Sequence, residues 1–284
     1  MNEIGIVEGI AKSSESTIPV NEGDYIDDEG LLCCGKCHTR KQTVIVLANG
    51  KQLKPRCVCK CEQERMKEEE EKRKEKELAE KVKELRKMGF PDAEMSRFTF
   101  ENDDNANDYI SGVAHRYVNN FVDMYKMHKG LLLYGTVGTG KTYIAACIAN
   151  ALIDRGYTCL VTNFARLTNT ISSMRSDKQE YIDSLNGFSL IVIDDLSSER
   201  DTEYMNEIVM NIIDARYRSG KPLIATTNLT SEELNAPKDI RKKRVYSRLM
   251  EMCVPIEVKG TDRRRTKAVK EKSEVEKILG IKRR

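Results

Sequence analysis

One stretch restricts the possible folds of this chain more than any other. Gly135, Thr136, Val137, Gly138, Thr139, Gly140, Lys141 and Thr142 spell GxxxxGK[ST], directly after the apolar run LLLY and directly before a helix-forming run. Between a strand and a helix, that spacing turns backbone N–H groups inward around phosphates. Lys141 then reaches the terminal phosphates, and the Thr142 hydroxyl ligates magnesium. A strand that feeds a helix this way belongs to a parallel sheet. Apolar runs at residues 131–134, 159–162, 190–193, 223–226 and 254–258 supply five strands. Helical patterns separate them, among them Met205, Ile208, Val209, Ile212 and Ile213. The expectation is an α/β fold with a parallel sheet between helices.

Hydrolysis needs more than a phosphate cradle. About 50 residues after the loop, LIVIDDL ends a strand in Asp194 and Asp195, where a parallel sheet presents groups beside bound phosphates. Asp194 is expected to hold magnesium through its water shell and Asp195 to polarise the attacking water. An Asp reaches less far than the Glu more often found there, so slow or partner-dependent turnover is expected. The next strand ends in Thr226, Thr227 and Asn228, and Asn228 can hold the attacking water and the γ-phosphate. In RKKRVYSR, Arg244 and Arg248 stand four apart. Arg248, beside Leu249, is the choice for an arginine finger reaching a neighbouring subunit, with Arg244 as the alternative. Arg263, Arg264 and Arg265 follow Gly260 and can contact the same phosphates or a DNA backbone.

Charge is unevenly placed. The whole chain carries +3, yet residues 238–284 hold 17 basic and 7 acidic side chains, which suggests a polyanion partner. Residues 62–88 contain 20 charged residues, ten of each sign, with no Gly or Pro. That is the composition of a solvated helical linker, with Leu78, Val82 and Leu85 as a narrow apolar stripe that could instead seat a coiled-coil partner. Gly89, Phe90 and Pro91 stop the helix. The first residues lack a basic and apolar leader, and no run of about 18 apolar residues occurs, so a soluble cytoplasmic protein is expected.

Six of the nine cysteines, Cys33, Cys34, Cys37, Cys57, Cys59 and Cys61, crowd into one segment. Two close groups joined by a loop fit tetrahedral zinc, and a segment this small cannot fold on its apolar residues alone. Cys34, Cys37, Cys59 and Cys61 are the chosen ligands, with Cys57 and His38 as substitutes. The resulting organisation is a leader and cysteine-rich zinc module over 1–61, with residues 1–32 weakly ordered, a charged helical linker over 62–89, the nucleotide-binding domain over 90–268 and a basic tail over 269–284.

Taken in order, GTVGTGKT, LIVIDDLSSE, TTN and RVYSRL resemble the AAA+ ATPases, and within them the DnaC/DnaI-type helicase loaders and their relative, the IstB transposition helper. The resemblance covers residues 90 to about 268, beginning at FPDAEMSRFTFEN. The cysteine-rich front is similar to that of loaders of Gram-positive bacteria and their phages. It implies an AAA+ P-loop core in which Lys141 and Thr142 are the Walker A pair, Asp194 and Asp195 the Walker B pair, and Asn228 sensor 1. Arg248 matches the arginine finger, and sensor 2 falls at Arg263 or Arg264, with Arg264 preferred from its spacing to Gly260. Ser197 stands where many relatives have Gly. The chain ends soon after the sensor 2 region, so a full helical lid is not expected. The cofactors implied are ATP, Mg2+ and Zn2+. The partners implied are a hexameric DnaB-type replicative helicase gripped by the front module, single-stranded DNA and further copies of the chain. The activity implied is ATP-dependent delivery of that helicase onto single-stranded DNA. The rivals are a transposition helper, against which the cysteine module argues, a small-molecule kinase, for which no acceptor pocket is evident, and a docking switch with negligible hydrolysis.

Overall fold

The computed structural model describes residues 20–92, 94–103, 107–196, 203–237 and 239–279. The first 19 residues of the expected leader, Ser197 and the last five residues lie outside the described residues. The chain divides into two compact units, Met1–Ala79 and Glu80–Arg284.

In the first unit, β1 (Tyr25–Ile26) pairs antiparallel with β2 (Leu32–Cys33), and β3 (Ile45–Val46) with β4 (Gln52–Leu53). These ladders are two residues long, and among the described residues the apolar interior amounts to little more than Leu31, Leu32, Leu53 and the buried cysteines Cys33, Cys34 and Cys59. An ion pair between Lys41 and Asp24, 2.5 Å apart and each 2% exposed, is buried among them. Residues 20–32 are therefore part of this unit, contrary to the expectation of a weakly ordered leader. The cause lies in Asp24, which accepts hydrogen bonds from Lys41 and from the Gly35 and Asn21 amides, and these hold its carboxyl down at about 2. A carboxylate satisfied so fully fixes the backbone on both sides of it.

Helix α1 (Lys60–Gly89) is built from Glu, Lys and Arg with i,i+4 pairs such as Arg65–Glu69 and Lys74–Glu70. Its apolar stripe divides: Leu78 is exposed, whereas Leu85 is buried and Val82 packs with it in the core of the second unit. Arg86 adds a bond to Asn150 and an ion pair with Asp154. The lower part of the stripe is thus covered by the chain itself. Gly89 is needed because a Cβ there would stand 2.4 Å from the Cys159 carbonyl oxygen.

The second unit is built on a five-stranded sheet in the order β6-β7-β8-β5-β9, every pair parallel. The strands are β5 (Gly130–Tyr134), β6 (Cys159–Asn163), β7 (Leu190–Leu196), β8 (Leu223–Thr227) and β9 (Cys253–Glu257). Alternate side chains enter opposite cores. Leu131, Leu133, Val192 and Ile224 face a cluster with α2 (Asp108–Asn119) and α4 (Lys141–Asp154). Leu132, Ile191, Ile193 and Ala225 face the other cluster, with α5 (Phe164–Ser173), α6 (Lys178–Leu185), α7 (Glu203–Arg218) and α9 (Ile240–Met252). Short α3 (Phe121–Lys126) precedes β5, and α8 (Ser231–Asn235) follows β8 with a Thr230/Glu233 capping box. Helix α10 (Arg263–Ile278), capped by Asp262 on the Arg265 amide, crosses residue 268 without a break. The basic tail expected from 269 onward thus begins as a helix, because Lys and Glu sustain one as readily as they solvate a coil.

Candidate nucleotide site and cysteine cluster

A parallel sheet collects the strand-to-helix loops at one edge, and its order decides which of them meet. With β8 between β5 and β7, the loop after β5, the acids of β7 and the polar end of β8 converge on a cleft of about 450 Å³. Lys141, Thr142, Asp194, Asp195, Asn228, Arg263 and Arg264 all line it. Val137, Gly138 and Gly140 form its loop wall, while Gly135 and Thr136 border a neighbouring hollow and Thr139 is buried beneath, bonded to the Thr136 carbonyl.

Gly135, Gly138 and Gly140 hold φ of 137°, 82° and 96°, values that turn the loop inward and that L side chains avoid. Gly138 has a second reason, since a Cβ there would lie 2.0 Å from an Asp262 carboxylate oxygen. The Arg263 amide also donates to the Gly138 carbonyl, so the start of α10 is fastened to the phosphate loop. Lys141 donates to the Gly135 and Thr136 carbonyls at 2.9 and 2.7 Å. Burial pushes its pKa below that of a free lysine, Asp194 and Asp195 push it back up, and Arg264 adds to the depression, which places all three charges around one ammonium group.

The Thr142 hydroxyl donates to Asp194 Oδ1 at 2.8 Å, and the Thr226 hydroxyl meets the same oxygen at 2.5 Å. Hydroxyl and carboxylate oxygens on adjoining elements form a hard donor set of the kind magnesium takes. Register slips between Ile193 and Leu196, and Asp195 adopts φ of 60°. This local bend lets Asp194 and Asp195, successive residues of a strand, both line the cleft. Asp195 is held there by its amide, which donates to Thr226 Oγ1 at 2.9 Å, and by Asn228 Nδ2, which donates to its carboxylate at 3.2 Å.

Arg248 is placed elsewhere. It lines a separate groove with Arg244, forms an ion pair with Asp214 of α7 and lies 5.8 Å from the Tyr217 ring centroid. Sequence reasoning also missed several groups. Thr226 stood inside a quoted motif, but its two bonds depend on which strands are neighbours. Phe98, Tyr143 and Asp103 line the cleft, and nothing in a polar run such as ENDD distinguishes one acid from its neighbours. For Asp262 a signal existed, an N-cap residue just before a helical run.

In the first unit the sulfur atoms of Cys34, Cys37, Cys59 and Cys61 all lie within 4.8 Å of one another. Cys34 and Cys61 are 3.6 Å apart and Cys59 and Cys61 3.5 Å. Four sulfurs at about 2.3 Å from a tetrahedral zinc stand about 3.8 Å from each other, so the cluster fits that ion. Cys57 points instead to the Arg40 carbonyl and Cys33 to Asp27. The Thr39 hydroxyl and the amides of Cys61 and Thr39 lower the Cys37 thiol to about 5, while the neighbouring thiols drive Cys61 up to about 12. That split readies part of the cluster to ionise.

Comparison with known proteins agrees with this geometry. Residues 61–272 match the family model described as IstB-like ATP binding protein. The chain is similar to the replicative helicase loader DnaI of Bacillus subtilis, 24% identical over 148 residues, or 48% of each chain. It is also similar to the replicative helicase loader DnaC of Escherichia coli K12, 30% identical over 104 residues, 35% of this chain and 42% of DnaC. The chain thus spans about half the length of the curated relatives it matches. Among solved structures, a crystal structure of DnaI superposes with a TM-score of 0.52 at 25% identity, covering 63% of this chain and 98% of that one. Among the described residues no helix is long and apolar enough to cross a membrane.

Proposed function

The chain belongs to the IstB-like ATP-binding protein family, and from that membership we propose that it is an AAA+ ATPase that loads a replicative DNA helicase onto single-stranded DNA. The observation that carries the ATPase part is the meeting of Lys141, Thr142, Asp194, Asp195 and Asn228 in one cleft beside the glycine loop. Loop amides and Lys141 bind the β- and γ-phosphates. Thr142 and Asp194 would hold magnesium, which would supply charge neutralisation for the phosphates. Asp195, steadied by Asn228 and Thr226, orients the attacking water. The water oxygen bonds to the γ-phosphorus, the bond to the β,γ-bridging oxygen breaks, ADP leaves and the water's proton passes to Asp195 and then to solvent. Arg264 lies on the cleft as a further phosphate contact. Arg248, on another surface, is assigned the trans role, completing the site of an adjacent copy.

Similarity to two proteins named as replicative helicase loaders supports the loader reading. The four-cysteine unit, folded around zinc, is the part we assign to gripping the helicase, a hexamer of the DnaB type. It also argues against the transposition helper. The reading extends to domain limits of 1–61, 62–89 and 90–268 and to action in the cytoplasm.

The test is to mix the full chain with the replicative helicase of its own host, with and without ATP. A complex on gel filtration and ATP turnover that changes with single-stranded DNA are expected. No complex in any nucleotide state overturns the loader reading and leaves the ATPase reading intact. Lys141→Ala is expected to reduce turnover to background, and unchanged turnover would overturn the ATPase reading.

A further inference from the structure

Among the described residues, two buried side-chain atoms lack a hydrogen-bond partner, Thr99 Oγ1 and Asp103 Oδ1. They lie four positions apart, in a segment whose Phe98, Asn102 and Asp103 border the nucleotide cleft. Buried polar atoms in folded proteins are paired nearly without exception, so an orphan on the wall of a binding cleft marks where a ligand completes the bonding. Asp103 is the sharper case because it is a carboxylate and only 1% exposed. Its other oxygen accepts from the Ser111 hydroxyl. Arg263 Nη1 stands 3.7 Å from the orphaned oxygen, near enough to offset its charge and too far to hydrogen-bond it.

The cleft has two chemically distinct ends. Asp194, Asp195, Thr226 and Asn228 make one, beside Lys141, and the terminal phosphates belong there. A nucleoside triphosphate laid along the loop therefore puts its base at the other end. The rest of the lining includes Phe98 and Tyr143, whose rings are 5.0 Å apart, and Asp103, which stands beside Arg263. Aromatic faces receive a base of any kind, so they do not choose among nucleotides.

We propose that Asp103 makes the choice, its unpaired carboxylate oxygen accepting a hydrogen bond from the exocyclic 6-amino group of adenine. Hypoxanthine and guanine carry a carbonyl oxygen at that position. Against Asp103 two acceptors would then face each other with no proton between them, and a site built for a hydrogen bond discriminates strongly when the bond is missing. This inference rests on the ATP reading of the cleft and names the residue that makes the ligand an adenine nucleotide.

The experiment measures dissociation constants of ATP, ITP and purine riboside triphosphate for the full chain with magnesium, by displacement of a fluorescent ATP analogue. The three ligands differ at position 6, which is an amine, a carbonyl and a hydrogen, and the carbonyl form also carries a proton on N1. For the unaltered protein ATP is expected to bind at least about tenfold more tightly than ITP, with the unsubstituted purine in between. In Asp103→Asn, whose amide can both donate and accept, the ATP-to-ITP ratio is expected to fall within about threefold. Equal binding of the three ligands by the unaltered protein overturns the proposal, and so does an Asp103→Asn variant that weakens ATP and ITP alike, since Asp103 then only anchors Arg263. If Asp103→Asn does not fold, the purine riboside comparison on the unaltered chain decides by itself. Binding of none of the three overturns the ATP reading itself, an outcome distinct from equal binding.

Discussion

Thr226 shows how much one hydroxyl can organise. It touches the carboxylate of Asp194 and receives the amide of Asp195, so both acids depend on it. Thr226→Val keeps the β-branched shape and removes both bonds. ATP turnover is expected to drop at least about tenfold, and stability to fall by about 1–3 kcal/mol because a partly buried amide loses its acceptor. Steady-state phosphate release and urea unfolding measure the two. Asp195→Asn keeps the backbone and the contact with Asn228 but removes the charge. Turnover is expected to fall by about 10²-fold or more, with ATP affinity changed only a few-fold, measured by phosphate release and by equilibrium binding. At this scale the sequence was legible where chemistry is local. Lys141, Thr142 and the acid pair are written consecutively on their own strands and loops. The Arg248–Asp214 pair was not legible, because it joins two helices whose packing no local spacing encodes.

Among elements, the short cysteine unit has the least apolar material to hold it. Its ladders are two residues long, and its buried ion pair contributes no driving force of its own. Zinc held by the four cysteines would supply what burial does not. Chelation of the full chain, or Cys37→Ser, is expected to abolish the folded signal of residues 20–59 while leaving the melting transition of the second unit in place, as read by limited proteolysis and calorimetry. One joint transition lost on chelation would contradict this. The clustering of Cys34, Cys37, Cys59 and Cys61 was readable because two close cysteine groups joined by a loop are spaced to meet. The ordering of residues 20–32 was not, since it depends on Asp24 finding Lys41 seventeen residues later. Linker α1 was readable as a helix from charge spacing alone. That its lower stripe belongs to the second unit required knowing where Phe90 and Ile153 would lie.

For the molecule as a whole, three thiols in three different elements give stability a characteristic pH dependence. Burial pushes Cys147, Cys159 and Cys253 up to about 12 from an ordinary 9.0. The unfolded chain loses these protons above pH 9 and the folded chain keeps them, so their contribution is complete below pH 9 and is lost as pH rises through 12. Each thiol adds a slope of about 1.4 kcal/mol per pH unit across that window. The slope of unfolding free energy against pH between 9 and 11 is expected to flatten in Cys253→Ala by about that amount. Assembly belongs to this scale too. If Arg248 completes a neighbour's site, turnover per chain rises with protein concentration, and Arg248→Ala removes the rise while leaving ATP binding unchanged. A flat profile in the unaltered protein would remove Arg248 from the mechanism. The fold class was legible because alternating strands and helices allow few architectures, and the strand order that assembles the site follows from which faces pack together.

The bend at Asp195 has a consequence for the chemistry available to this chain. Left-handed backbone is tolerated by Asp and Asn far better than by residues with longer or branched side chains. The shorter acid is therefore matched to the curvature of its strand, which advances the carboxylate by moving the main chain instead of extending the limb. Exchanging it for Glu would lengthen the arm and straighten the shoulder together, so greater reach need not bring greater speed.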